Sequence, residues 1–346
     1  MTGTTLRGGA LAAPMGRRDV RRAASRLAPH VVRTPVIRAD FPDRPACVRL
    51  WLKAENLQRG GSFKIRGALH AVGRMAATGC PGVIAPSTGN HGIAVAYAAR
   101  AHGLPAVLVL PADAAPSKVR GIRATGARVV LAGTAPAERA AVVAELGERY
   151  GYRTVDPYED PDVVAGQATA TAELLAQVTA AGGRLDAVVV PVGGGSALAG
   201  ACLAAEGTGI AVVAAEPAAV PALGAALRAG APVTVTPRPT IADGLRPDRI
   251  GRLPFALVRR RVTAVVEVEE DAIADTMRLA LERLRLVVEP AAATALAGAL
   301  RFAAGGEGRA AGMTDVGVLL SGGNVESALI ASLLLSGEVH RSHRGT

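Results

Sequence analysis

Short apolar runs of strand length recur along this 346-residue chain with helical stretches between them, and that alternation restricts the fold more than any other feature. The runs fall at 83–85, 106–110, 128–131, 187–190, 211–215, 264–268 and 316–320. Helical patterns fill the intervals at 93–102, 117–125, 136–150, 162–181, 271–284 and 290–302. Runs so short and so apolar are strands buried on both faces, and their alternation with helices gives parallel sheets covered on either side. The predicted class is therefore α/β. Before the alternation begins, residues 18–30 predict an amphipathic helix stopped by Thr34-Pro35, followed by a strand at 48–53 and a helix over 65–78. The polar, basic tail from His340 to Thr346 is predicted to be disordered.

Composition narrows the function classes. Half the residues are hydrophobic, and no apolar run reaches the roughly 20 residues of a membrane helix. No continuous apolar segment of the signal-peptide kind follows the basic N-terminus, and the predicted location is the cytoplasm. The formal charge of +10 invites a nucleic-acid partner, but the arginines are scattered and aromatics make up only 3% of the chain, too few for base stacking. Arg17-Arg18, Arg21-Arg22 and Arg259 to Arg261 are predicted to lie on solvated helix faces or ends. Cys47, Cys80 and Cys202 are odd in number and widely spaced, which fits reduced structural cysteines better than a disulfide framework or zinc site.

In an open α/β sheet, ligands bind beyond the carboxyl ends of the strands, so the chemistry is sought there. Gly60-Gly61-Ser62-Phe63-Lys64-Ile65-Arg66-Gly67-Ala68 sets one lysine between two bulky apolar residues. Taken alone it fits a surface turn with a snorkelling lysine better than a buried amine made nucleophilic by desolvation, with Arg66 adding positive field. Ser87-Thr88-Gly89-Asn90-His91-Gly92 follows a strand and opens a helix, which suits either an ordinary cap or an anion site. Gly193-Gly194-Gly195-Ser196 has neither the triphosphate-loop nor the dinucleotide spacing, yet three glycines at a helix start suit a phosphate. Ser321-Gly322-Gly323-Asn324 closes a further strand. A lysine amine, a phosphate cradle and an anion loop together describe a site for pyridoxal 5'-phosphate, which needs an amine for a Schiff base and a nest for its phosphate.

These motifs, with Thr240-Ile241-Ala242-Asp243-Gly244-Leu245, resemble the signature set of the fold-type II pyridoxal-phosphate enzymes, of the tryptophan synthase beta-like superfamily. Within it they are most similar to the serine/threonine dehydratase and serine racemase family. The resemblance implies two three-layer α/β domains around mostly parallel sheets, with the cofactor in the cleft between them. The large cofactor-binding domain would comprise residues 1–82 plus 156–346, and a small inserted domain residues 83–155. By similarity Lys64 carries the cofactor, Phe63 packs on its ring, and Asn90 bonds the ring 3-oxygen. Gly193, Gly194, Gly195 and Ser196 would hold the phosphate, Ser321 would face the pyridine nitrogen, and the N–H groups of Ser87, Thr88, Gly89, Asn90 and His91 would receive the substrate carboxylate.

The implied activity is α,β-elimination of L-threonine, L-serine or a related β-hydroxy amino acid to a 2-oxo acid and ammonia, by a homodimer without nucleic-acid or membrane partners. Thr88 stands where the family's dehydratases commonly have alanine and its racemases a serine acid/base, which leaves amino-acid racemisation as the alternative; β-replacement is a further one. The family's cation site begins at a pair like Glu216-Pro217 and adds a carboxylate six residues on, where this chain has Ala222. Glu216 is thus a possible metal ligand without its usual partner, and a divalent or monovalent cation stays open.

Overall fold

The computed structural model describes residues 15–39, 48–87, 89–114, 116–305 and 312–342. Along them run the strands β1 (Val36–Ala39), β2 (Arg49–Ala54), β3 (Val83–Ala85), β4 (Ala106–Leu110), β5 (Arg128–Leu131), β6 (Arg153–Thr154), β7 (Ala187–Pro191), β8 (Ala211–Pro217), β9 (Val262–Val268) and β10 (Asp315–Leu320). The helices are α1 (Arg17–Leu27), α2 (Lys64–Ala77), α3 (Asn90–Ala101), α4 (Pro116–Arg123), α5 (Pro136–Tyr150), α6 (Pro161–Ala180), α7 (Ser196–Ala205), α8 (Ala222–Ala229), α9 (Arg252–Val258), α10 (Glu270–Leu279) and α11 (Pro290–Ala304), with a last helix at Ser327–Ser342.

The strands form two sheets. The larger has the order β1-β2-β10-β7-β8-β9 and the smaller β5-β4-β3-β6. Every pairing is parallel except β1 with β2, where Val36 faces Lys53 and Ala39 faces Leu50. Every residue of β3, β4, β7 and β10 is buried, as continuous apolar runs in a covered parallel sheet require. Small residues let the covering helices close in. A Cβ on Gly200 of α7 would stand 2.7 Å from the Ala168 nitrogen of α6, so that crossing depends on its absence. Helix α6 starts where Asp160 accepts hydrogen bonds from the N–H groups of Asp162 and Val163, with Pro161 in its first turn. Helix α2 packs against α3 on one side and α6 on the other, bringing the two sheets' layers together.

The α/β expectation holds, with local corrections. The antiparallel edge strand β1 and the two-residue β6 escape a reading based on apolar runs. The helix expected over 271–284 ends its α-geometry at Leu279 and continues as a π-turn, Ala280–Leu284, closed by Arg285 in the left-handed region at φ 59°. His340 to Ser342 belong to the last helix, contrary to the disorder expected of the tail; residues 343–346 lie outside the described residues. The arginine clusters at 17–22 and 259–261 are exposed as expected. Cys80 and Cys202 are buried free thiols, that of Cys202 pushed up to about 12 by burial, and Cys47 lies outside the described residues. No helix among the described residues is long and apolar enough to cross a membrane.

Candidate active site

The segments that follow β2, β7 and β10 in the large sheet meet those that follow β3 and β6 in the small one. The meeting is held by hydrogen bonds between distant stretches. Ser62 pairs with Gly322 in an isolated antiparallel bridge, and the Phe63 N–H donates to the Ser321 carbonyl at 2.9 Å. Gly323 N–H donates to the Gly61 carbonyl at 2.9 Å, so the lysine stretch and the serine loop are one backbone unit.

Lys64 opens α2, and its Nζ lies 3.3 Å from Ser196 Oγ, 3.4 Å from the Pro157 carbonyl and 5.2 Å from the Phe63 ring centre. Burial lowers the amine to about 8, against the opposing fields of Asp156 and Glu289. The residue keeps some exposed surface. An amine with that value carries a far larger neutral, nucleophilic fraction at pH 7 to 8 than a solvated lysine. The field expected of Arg66 is a correction: its fully buried guanidinium does not act on Lys64 but turns to Glu55, at 2.7 and 2.8 Å, and to Glu173, at 2.8 and 2.9 Å. Burial alone would lower its pKa, and the two carboxylates more than reverse that. Lys53, also fully buried, joins the cluster through Glu173 at 2.8 Å.

The glycine loop lies beside Lys64. Gly195 has φ +98°, and a Cβ on Gly194 would stand 2.2 Å from the Tyr158 ring, so larger residues are excluded. The loop is tied by Gly251 N–H to the Gly194 carbonyl and Val192 N–H to Ala215, while no hydrogen bond among the described residues uses the N–H of Gly193, Gly194 or Gly195. Three unspent donors at the start of the ten-residue α7 suit a phosphate.

Asn90 begins α3. Its Nδ2 donates to Glu289 Oε2 at 2.7 Å, and its Oδ1 accepts from Asn324 Nδ2 at 2.9 Å. Ser321, buried, has its Oγ 3.2 Å from Glu289 Oε1. His91 donates from Nε2 to the Val155 carbonyl at 2.8 Å, and burial, then Lys64, lowers it to about 3, so it is neutral. Ser87 and Gly89 flank Thr88, which lies outside the described residues. Of the other expected site residues, Phe63, Lys64, Asn90, Gly193 to Ser196 and Ser321 come together.

Glu216 stands apart from this group. Both its oxygens accept backbone N–H groups, of Leu223 at 2.8 Å and Gly224 at 2.9 Å, and burial raises it to about 7. No group of three metal-ligating side chains occurs among the described residues.

Three residues of the site were not expected. Asp156 and Tyr158, after β6, border Lys64 and the glycine loop, and Glu289 joins Asn90 to Ser321. Glu289-Pro290 reads in sequence as a helix start, and nothing local signals a buried carboxyl. Burial raises Glu289 to about 7. A native carboxyl so raised contributes stability that is whole below its usual value of about 4.5 and lost as pH rises through about 7. Thermal unfolding of the cofactor-free protein should therefore show a melting temperature that falls from pH 5 to pH 8, and less steeply in Glu289→Gln; equal slopes would count against this.

The sequence model of the family described as "Pyridoxal-phosphate dependent enzyme" matches residues 27–322. An L-threo-3-hydroxyaspartate ammonia-lyase of Saccharomyces cerevisiae is 35% identical over 319 residues, covering 91% of this chain and 95% of that one. Among solved structures, maize serine racemase superposes with a TM-score of 0.86 at 33% identity, covering 96% of this chain and 99% of the other. The serine racemase of Dictyostelium discoideum superposes at 0.83 with 34% identity, over 90% and 99%. A threonine deaminase of known structure superposes at 0.82 with 39% identity, over 89% and 98%. The chain belongs to the family of pyridoxal-phosphate dependent enzymes. Its relatives include both ammonia-lyases and racemases, and its mixed α/β fold with parallel sheets is theirs. The residues present fit the family's cofactor: a buried amine of lowered pKa, unspent loop N–H groups within reach of a phosphate, and a buried serine hydroxyl.

Proposed function

We propose that this chain is a pyridoxal-phosphate dependent ammonia-lyase that removes water from L-threonine, L-serine or a related β-hydroxy amino acid, giving a 2-oxo acid and ammonia. The observation that carries it is the buried Lys64 amine set beside the unspent donors of the glycine loop. Similarity to ammonia-lyases over most of the chain supports the reaction type.

In this reading Lys64 holds the cofactor, Gly193 to Ser196 hold its phosphate, Asn90 donates its second Nδ2 hydrogen to the ring 3-oxygen, and Ser321 faces the ring nitrogen. The cofactor, when bound, supplies the electron sink that acidifies the substrate Cα–H. The N–H groups from Ser87 to His91, at the start of α3, orient the substrate carboxylate. Lys64, displaced by the substrate amine, takes the Cα proton at Nζ. The β-hydroxyl takes up a proton and leaves as water, and a second water releases ammonia from the product. Phe63, Tyr158 and the glycine loop wall the cleft. We assign the large domain to residues 1–82 plus 156–346 and the small one to 83–155, and infer a cytoplasmic homodimer.

Serine racemases among the relatives favour racemisation as the second reading, with Thr88 as its acid/base. Incubating the loaded enzyme with L-serine, L-threonine and L-threo-3-hydroxyaspartate, while following 2-oxo acid and D-enantiomer, separates the two. Elimination predicts 2-oxo acid as the main product; dominant D-amino acid would overturn it.

Because both oxygens of Glu216 are engaged by backbone N–H groups and Ala222 supplies no second carboxylate, chelator treatment is expected to change kcat/KM by less than about twofold. A large loss that magnesium reverses would contradict this.

A further inference from the structure

Among the described residues, Glu289 is the one carboxyl that touches two of the groups assigned to the cofactor ring. Its oxygens divide the work: Oε2 accepts from Asn90 Nδ2 at 2.7 Å, and Oε1 lies 3.2 Å from Ser321 Oγ. The arrangement is tight. Glu289 is 5% exposed, its own N–H donates to the Gly322 carbonyl, and a Cβ on Gly322 would stand 2.6 Å from Oε1. Asn90 cannot turn, since its Oδ1 is held by Asn324 Nδ2, which also donates to the Gly60 carbonyl.

Donor counting then fixes where a proton on Glu289 can go. Asn90 offers only N–H groups to Oε2, so the proton belongs on Oε1 and donates to Ser321 Oγ. Receiving that bond, Ser321 must point its own hydrogen elsewhere, and on the cofactor reading the group it faces is the ring nitrogen. Were the carboxyl ionised, Ser321 would donate to Glu289 and offer the ring nitrogen only a lone pair. We propose that Glu289 is a positioning residue: protonated at Oε1, it turns the Ser321 hydroxyl into a donor toward the ring nitrogen of bound pyridoxal phosphate and so keeps that nitrogen unprotonated.

The surroundings agree. Burial acts first to favour the neutral carboxyl and Asp243 adds to it, while the Asn90 and Ser321 hydrogen bonds and the Lys64 charge oppose it. An unprotonated ring withdraws fewer electrons, which suits elimination over reactions needing a longer-lived carbanion.

The inference rests on the cofactor reading, and its test separates the two. Enzyme loaded with pyridoxal phosphate labelled with 15N in the ring is followed by NMR from pH 6 to pH 9, beside Glu289→Gln, whose amide donates permanently to Ser321, and Glu289→Ala. The wild type should show an unprotonated ring nitrogen at pH 6 and a signal that moves as Glu289 ionises. In Glu289→Gln the signal should stay put over that range, and kcat lost in Glu289→Ala, about tenfold for unsatisfied buried donors, should be largely recovered in Glu289→Gln. A pyridinium signal in the wild type at pH 6, or identical titration in wild type and Glu289→Gln, would overturn the proposal. Failure of the chain to take up the labelled cofactor would remove the cofactor reading itself, and the proposal with it.

Discussion

Lys64→Ala should lower the rate of 2-oxo acid formation by at least about 10³-fold, because the substitution removes both the covalent anchor and the base for the Cα proton. The variant should still fold. Among the described residues Lys64 Nζ makes two hydrogen bonds, both long, at 3.3 and 3.4 Å, and its amine is held at a cost that burial shows in its lowered pKa. Unfolding of the cofactor-free variant should therefore match or exceed the wild type in stability, while the visible band of the lysine-bound cofactor disappears. Retention of more than a tenth of the activity would refute the role of Lys64.

Arg66→Met is expected to act in the opposite way, on stability first. Arg66 is zero percent exposed and is the hub that neutralises Glu55 and Glu173, with Lys53 on the far side of Glu173. Removing it leaves buried carboxylates with too little positive charge, a loss of about 3–5 kcal/mol. Urea unfolding of the cofactor-free protein measures it. A loss under about 1 kcal/mol, the size of a surface pair, would show that the cluster is solvated or rearranges. Because Arg66 sits in the first turn of α2, the variant should also bind pyridoxal phosphate more weakly.

The same residue shows where sequence reasoning stops. Lys64 and Arg66 are neighbours in sequence, but residues two apart on a helix are turned about 200° from each other, so one faces the cleft and the other the interior. The charges that do act on Lys64 belong to Asp156 and Glu289, 92 and 225 residues away, and no local pattern announces them. Strands β3, β4, β7 and β10 were legible because buried parallel strands are apolar throughout. The π-turn after Leu279 was not, since Arg285 takes a left-handed conformation without the glycine that would mark it. The glycine loop and the serine loop could be read because close backbone approach demands glycine whatever the partner. Glu289 could not, because the groups that give it meaning, Asn90 and Ser321, come to it only through the fold.

The chain has only three lysines, Lys53, Lys64 and Lys118, so the central claim can be tested at a single residue. Lys53 is fully buried and engaged by Glu173, Gln177 and the Thr34 carbonyl. Borohydride reduction of the wild-type protein loaded with pyridoxal phosphate, followed by peptide mass mapping, should place one pyridoxyl group on Lys64 alone. A label on Lys53 or Lys118, or none at all, would contradict the account.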